Sequence, residues 1–128
     1  IGIFMGCSYT DPNSNQKTFN QTWPADTSAS DAVAYVIIDP EVLFQMQGDG
    51  SIAQTALGAN FAVVQTAGST TIGTSKNSCD ASTVATTNTL PVKLVDFVDG
   101  PTSSVADSYT DVILKFNVGH QITNTTGI

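Results

Sequence analysis

The chain contains no arginine and only four lysines, Lys17, Lys76, Lys93 and Lys115, spread along its length against eleven acids, for a net charge of −7. A phosphate backbone is bound through clustered cations, so this distribution excludes nucleic acid as an expected partner. An acidic surface likewise repels an anionic bilayer. No run approaches the ~18 apolar residues of a membrane-spanning helix, so no membrane partner is expected either. There is one histidine, His120, so any Ser/His/Asp arrangement must use it, and no G-x-S-x-G elbow accompanies it. The expected reading of His120 is a solvated residue beside the last strand. The two cysteines, Cys7 and Cys79, have no metal-ligand spacing. They could pair, but without a secretory leader free, buried thiols are the expected state. Charged residues make up only 12% of the chain, which leaves Thr, Ser, Asn, Gln and Gly to form the surface.

What remains is a set of short apolar segments separated by turn signals. The densest is Ala34 to Gln47, AYVIIDPEVLFQMQ. Pro40 has no N–H and biases Asp39 toward extended backbone, so this block predicts a strand, a tight corner and a second core strand. In the second, Val42, Phe44 and Met46 take one side and Leu43, Gln45 and Gln47 the other. Before it, Ile1 to Thr10 predicts a strand with Ile1, Ile3, Met5, Cys7 and Tyr9 on one face, and Gly2 and Gly6 on the other where a second backbone approaches closely. The Asp11-Pro12-Asn13-Ser14-Asn15 turn predicts a hairpin into Lys17 to Trp23, with Lys17, Phe19, Gln21 and Trp23 sharing a face.

After Gly48-Asp49-Gly50, Ser51 is a good N-cap and Gly58 a good stop, which predicts a short helix over 51–57. Ala59 to Gln65 reads as a strand, Thr74 to Asp80 as a weak edge strand, and Leu90 to Asp99 as a strand apolar on both faces. Tyr109 to Val118 is the last firm strand, with Val112, Leu114, Phe116 and Val118 inward. The chain therefore predicts one all-β domain over 1–128, an antiparallel β-barrel or sandwich of about seven or eight short strands with one short helix. The apparent burial of both faces of the strand at 90–99 favours a barrel. Because the sequence opens on Ile1 in an apolar strand, an N-terminal segment is expected to be missing.

No catalytic, cofactor or metal site is predicted. Asp39 with Glu41, or Asp96 with Asp99, would be the carboxylate pairs of a hydrolase, but they read as turn acids. Gly48-Asp49-Gly50 lacks the length and distal glutamate of a calcium loop. Asn20-Gln21-Thr22 and Asn124-Thr125-Thr126 match glycosylation sequons, which are common by chance. Phe19 and Trp23 are the candidate partner interface, as exposed aromatic anchors or else as core.

The segments FMGCSYTDPNSNQKTFNQTWPA at 4–25, DAVAYVIIDPEVLFQMQGDG at 31–50 and IAQTALGANFAVV at 52–64 resemble head decoration, or cement, proteins of tailed bacteriophages. TIGTSKNSCDASTVATT, LPVKLVDFVDGP and DVILKFNVGHQ continue the resemblance over nearly the whole chain. One departure is Ser78-Cys79, where members often carry an acidic and aliphatic pair before the aspartate at 80. The resemblance implies a structural virion protein on the outer surface of the capsid, commonly a homotrimer at local threefold positions, that binds the major capsid protein and clamps neighbouring subunits. It implies no enzyme activity and no cofactor. It also leads to the expectation that the N-terminus and residues 119–128 reach onto capsid protein or an adjacent copy. The alternative from another class is a carbohydrate- or receptor-binding β module of a virion tail or cell surface, motivated by Phe19, Trp23 and the Thr/Asn-rich loops. A carboxylate-dependent hydrolase ranks below both.

Overall fold

The structure is a computed structural model that describes residues 1–120. The expectation for the tail to Ile128 and the sequon at Asn124 therefore lie outside the described residues. Among the described residues nine strands follow in chain order: β1 (Ile3–Thr10), β2 (Lys17–Asn20), β3 (Val33–Ile37), β4 (Leu43–Gln47), β5 (Asn60–Phe61), β6 (Val63–Val64), β7 (Ser78–Cys79), β8 (Val92–Phe97) and β9 (Asp111–Phe116). They form three antiparallel sheets, in the orders β2-β1-β3, β4-β9-β8-β5 and β6-β7. The fold is all-β and sandwich-like, with no closed barrel.

The core lies on one face of the four-stranded sheet. Along β9 the alternation is clean: Val112 and Leu114 are fully buried, Phe116 nearly so, and Asp111, Ile113 and Lys115 face the other way. Val118 falls beyond the strand and is exposed. In β4, Phe44 and Met46 pack on this core while Leu43, Gln45 and Gln47 are exposed, as the alternation predicts. Phe44 meets Phe116 with ring centroids 4.6 Å apart. Phe61 of β5, opposite Val92, adds to the same face, and Ile52, Ala56 and Cys79 complete the core cluster.

The expectation of a barrel rested on β8 being apolar on both faces, and the register corrects it. A bulge lies between Leu94 and Asp96. The extra residue, Val95, is 40% exposed, and it allows Leu94 and Phe97, three positions apart, to point into the same core. An apolar run that looks two-sided thus serves one face.

The helix expected at 51–57 is only a 3-10 turn over Gln54–Ala56. The groups that would begin a helix are bonded sideways to the loop before β9. Ser51 Oγ donates to Ala106 O at 2.9 Å, Ile52 N–H donates to the Thr110 hydroxyl at 3.1 Å, and Ala106 N–H donates to Ile52 O at 3.1 Å. The strand expected at 59–65 breaks at Ala62, whose N–H is taken by Thr83 Oγ1 at 2.9 Å, and the chain passes from partner β8 to partner β7.

The expectation of two core strands joined at Asp39-Pro40 takes the largest correction. β3 and β4 do not pair with each other. β3 completes the three-stranded sheet on β1, and β4 is an edge of the four-stranded sheet on β9, so Asp39-Pro40 carries the chain from one sheet to the other. Nor is β3 core, because Val33, Tyr35 and Val36 are all close to half exposed. Among the described residues, Ile3 alone of the β2-β1-β3 sheet packs on the main core cluster, so β3 lacks the cover that β9 has, although Cys7 and Tyr9 of β1 are buried.

Candidate interaction surface

The three-stranded sheet carries the most exposed apolar residues, on β3, on Phe19 of β2 and at the start of β1, while Cys7, Ser8 and Tyr9 of its central strand are buried. Nine of the sixteen large apolar residues exposed among the described residues lie in the first 38 positions. Scattered apolar residues are normal on a surface, but a contiguous group marks an interaction site.

Two devices shape this sheet. The first is a bulge in β1, where the pairing shifts between Phe4↔Val36 and Gly6↔Tyr35. Met5 is the unpaired residue and is 57% exposed, which explains why it leaves the predicted face of Cys7 and Tyr9. Gly6 has φ of +143°, and a Cβ there would stand 2.8 Å from Asn20 O, so the bulge requires glycine. At Gly2 a Cβ would meet Ile37 O at 2.6 Å, the close approach expected at that position.

The second device is the clamp that holds the hairpin. Asp31 accepts from Thr10 Oγ1 at 2.7 Å, from Thr10 N–H at 3.0 Å and from Lys17 Nζ at 3.1 Å. These contacts, chiefly the Thr10 hydroxyl, then the Thr10 amide and Lys17, hold its carboxyl far below the ordinary carboxylate range.

Opposed residues share a face, so the register sorts the surface. On one face, Phe4, Val36, Ala34, Cys7 and Tyr9 line up, and Trp23 lies over Tyr9 with ring centroids 5.1 Å apart. Phe4, Cys7, Trp23 and Ala32 to Ala34 line a shallow hollow of about 270 Å³. Cys7 forms its floor, buried, with Sγ 3.6 Å from Thr22 O. The other face carries Val33, Tyr35, Ser8 and Phe19, with Ser8 Oγ and Tyr35 Oη 3.2 Å apart.

Phe19, 71% exposed, and Trp23, 44% exposed, are therefore not brought together. Phe19 sits opposite Ser8, whereas Trp23 stacks on Tyr9 of the other face. β2 stops at Asn20, so strand alternation does not carry through to Trp23. The residues that extend the surface on either side of them, Phe4, Val33, Tyr35 and Val36, were not singled out from the sequence, because an apolar β-branched run reads first as core.

The remaining candidates resolve as local structure. His120 Nε2 lies 2.8 Å from Thr89 O. Asp39 accepts the Glu41 N–H at 2.9 Å as a turn residue, while Glu41 Oε2 pairs with Lys115 Nζ at 2.8 Å. Asp96 accepts the Phe97 N–H, and Asp49 accepts the Ala81 N–H. Among the described residues no three of His, Cys, Asp and Glu gather as a metal site. Both cysteines are free and buried. Burial, then Asp49 and Asp80, pushes the Cys79 thiol up to about 12. No described helix is long and apolar enough to cross a membrane.

Comparison with models of protein families, with curated proteins and with solved structures finds no match for this chain.

Proposed function

We propose that this protein is a structural virion component that docks on the outside of a bacteriophage head through its β2-β1-β3 sheet and holds major capsid protein subunits together. The observation that carries the reading is the exposed apolar surface of that sheet, which adds only Ile3 to the main core cluster of the described residues. The resemblance of the sequence to head decoration proteins supplies the partner. A clamp needs a firm body, which the four-stranded sheet supplies, and an apolar contact surface, which the three-stranded sheet supplies. It needs no reactive centre. Assembly as a homotrimer on the head belongs to the same proposal.

The test is the stoichiometry of purified particles. The chain is expected to co-purify with intact heads at a fixed ratio to the major capsid protein, in hundreds of copies. A ratio near a dozen copies or fewer would place it at the tail or portal and defeat the proposal. The glycan-binding alternative is weaker on physical grounds. The hollow beside Trp23 is lined by Phe4, Ala32 and Ala34, whose side chains offer carbon and none of the donors that a sugar's hydroxyls need. A glycan array, with Trp23→Ala as its control, separates the two readings: specific binding abolished by that substitution would favour the alternative.

A further inference from the structure

An edge strand presents a row of unused N–H and C=O groups, and most proteins guard such edges with charge, proline or brevity. The two edges of the three-stranded sheet differ in this respect. β2 has four residues, begins at Lys17 and contains two polar residues, Thr18 and Asn20. β3, Val-Ala-Tyr-Val-Ile, carries no charge, no proline and no bulge of its own. Its alternate backbone groups point away from β1, and no described strand or backbone hydrogen bond meets them. Its side chains are exposed on both faces, with Val36 and Ala34 on one and Val33 and Tyr35 on the other. A strand added here would thus gain main-chain bonds and apolar contacts on both sides, the two components of recognition by strand addition.

We infer that the free edge of β3 is an acceptor for an extended segment of a partner protein, apolar at its centre and flanked by lysine or arginine. Electrostatics selects that occupant over a second copy of the chain. The first 42 residues hold five acids against one lysine; Lys17 pairs with Asp31 and Lys115 with Glu41, which leaves Asp11, Asp26 and Asp39 with no described cation partner, Asp39 two residues beyond the end of β3. Two such edges repel each other, whereas a cation-flanked strand is attracted. The five residues of β3 match a partner strand of about 17 Å. The inference rests on the reading of the chain as a protein that docks on heads, and it specifies where and how the docking occurs.

The experiment measures binding of the full chain to purified heads lacking it, with hydrogen exchange followed by mass spectrometry on the free and bound protein. Slowed exchange across 33–37 is expected on binding. Val36→Lys, which places a guard on the edge, is expected to weaken binding by about tenfold or more, while Val36→Thr stays within about threefold. Binding that protects other segments and ignores Val36→Lys would overturn the inference and leave the docking proposal standing. If the chain does not bind heads, the docking proposal fails, and a displayed library of about nine-residue peptides decides the inference. These peptides alternate Val, Ile, Thr and Tyr between terminal lysines. Enriched peptides that protect 33–37 sustain the inference, and an unenriched library overturns it. A dimer of the chain alone that Val36→Lys dissolves would also overturn it, since a second copy would then be the occupant.

Discussion

If the apolar surface of β3 serves binding rather than folding, polar substitutions there leave the domain stable, and core substitutions do not. The perturbation is the pair Val33→Thr and Val36→Thr, which keeps the β-branched shape and strand preference of each site and replaces one methyl by a hydroxyl. A fully buried methylene is worth about 0.8 kcal/mol. With Val33 at 49% and Val36 at 46% exposure, each substitution forfeits about half of that, so the double variant costs about 1 kcal/mol. Leu114→Ala is the reference: Leu114 is fully buried between β4 and β8, and truncation there costs about 3–5 kcal/mol through lost burial and the cavity left behind. Urea unfolding followed by far-UV circular dichroism measures both, with Trp23 fluorescence as a probe of the three-stranded sheet. The reasoning is refuted if the double Thr variant is destabilised as much as Leu114→Ala, since that would mean the β3 surface is covered in the folded molecule.

The clamp at Asp31 makes the β1–β2 hairpin acid-sensitive. Because its folded pKa lies below the unfolded value of about 3.9, its contribution is present above that value and is lost as pH falls; wild type should lose more stability than Asp31→Asn between about pH 4 and 2, and equal slopes would remove Asp31 as the cause. Cys7 and Cys79 should both resist an aromatic disulfide reagent at pH 8 until urea unfolds the chain, given their burial and the Cys79 thiol raised to about 12; rapid native reaction at either would contradict the packing. Thr110→Val should cost about 1–3 kcal/mol in thermal or urea melts, because the buried hydroxyl accepts from Ile52 N–H and donates to Asp107 O, and valine leaves both without it. A cost below about 0.5 kcal/mol would show that the turn at 48–52 is held by other bonds.

Alternation was legible wherever a strand had one buried face and no irregularity. β9 and β4 show this: their inward residues follow from period two alone. Bulges defeated the same reasoning twice. At Met5 and at Val95 one extra residue shifts the phase, and nothing in the local composition marks the position apart from Gly6 after the first. The missing helix at 51–57 failed for another reason. Ser51 and Gly58 are sound helix signals, but the Ser51 hydroxyl and the backbone N–H and C=O of Ile52 found partners in the 106–110 loop, a long-range competition that no local pattern records.

The partner surface was half legible for a reason that bears on its function. Composition identifies residues that gain by leaving water, and it does not say what takes the water's place. Val36 in β3 and Leu114 in β9 carry the same signal, yet Leu114 is fully buried, whereas among the described residues Val36 stays 46% exposed. Distinguishing them requires counting layers, which depends on whether Asp39-Pro40 folds β4 back onto β3 or carries it to another sheet. The chain takes the second course. The densest apolar stretch of the sequence is thereby divided, with β4 and Val42 helping to close the core and β3 left facing outward. A domain selected only for its own stability would gain by covering β3 or by making it polar. That the strand is neither covered nor guarded among the described residues is the physical argument for the proposal that it docks on another molecule.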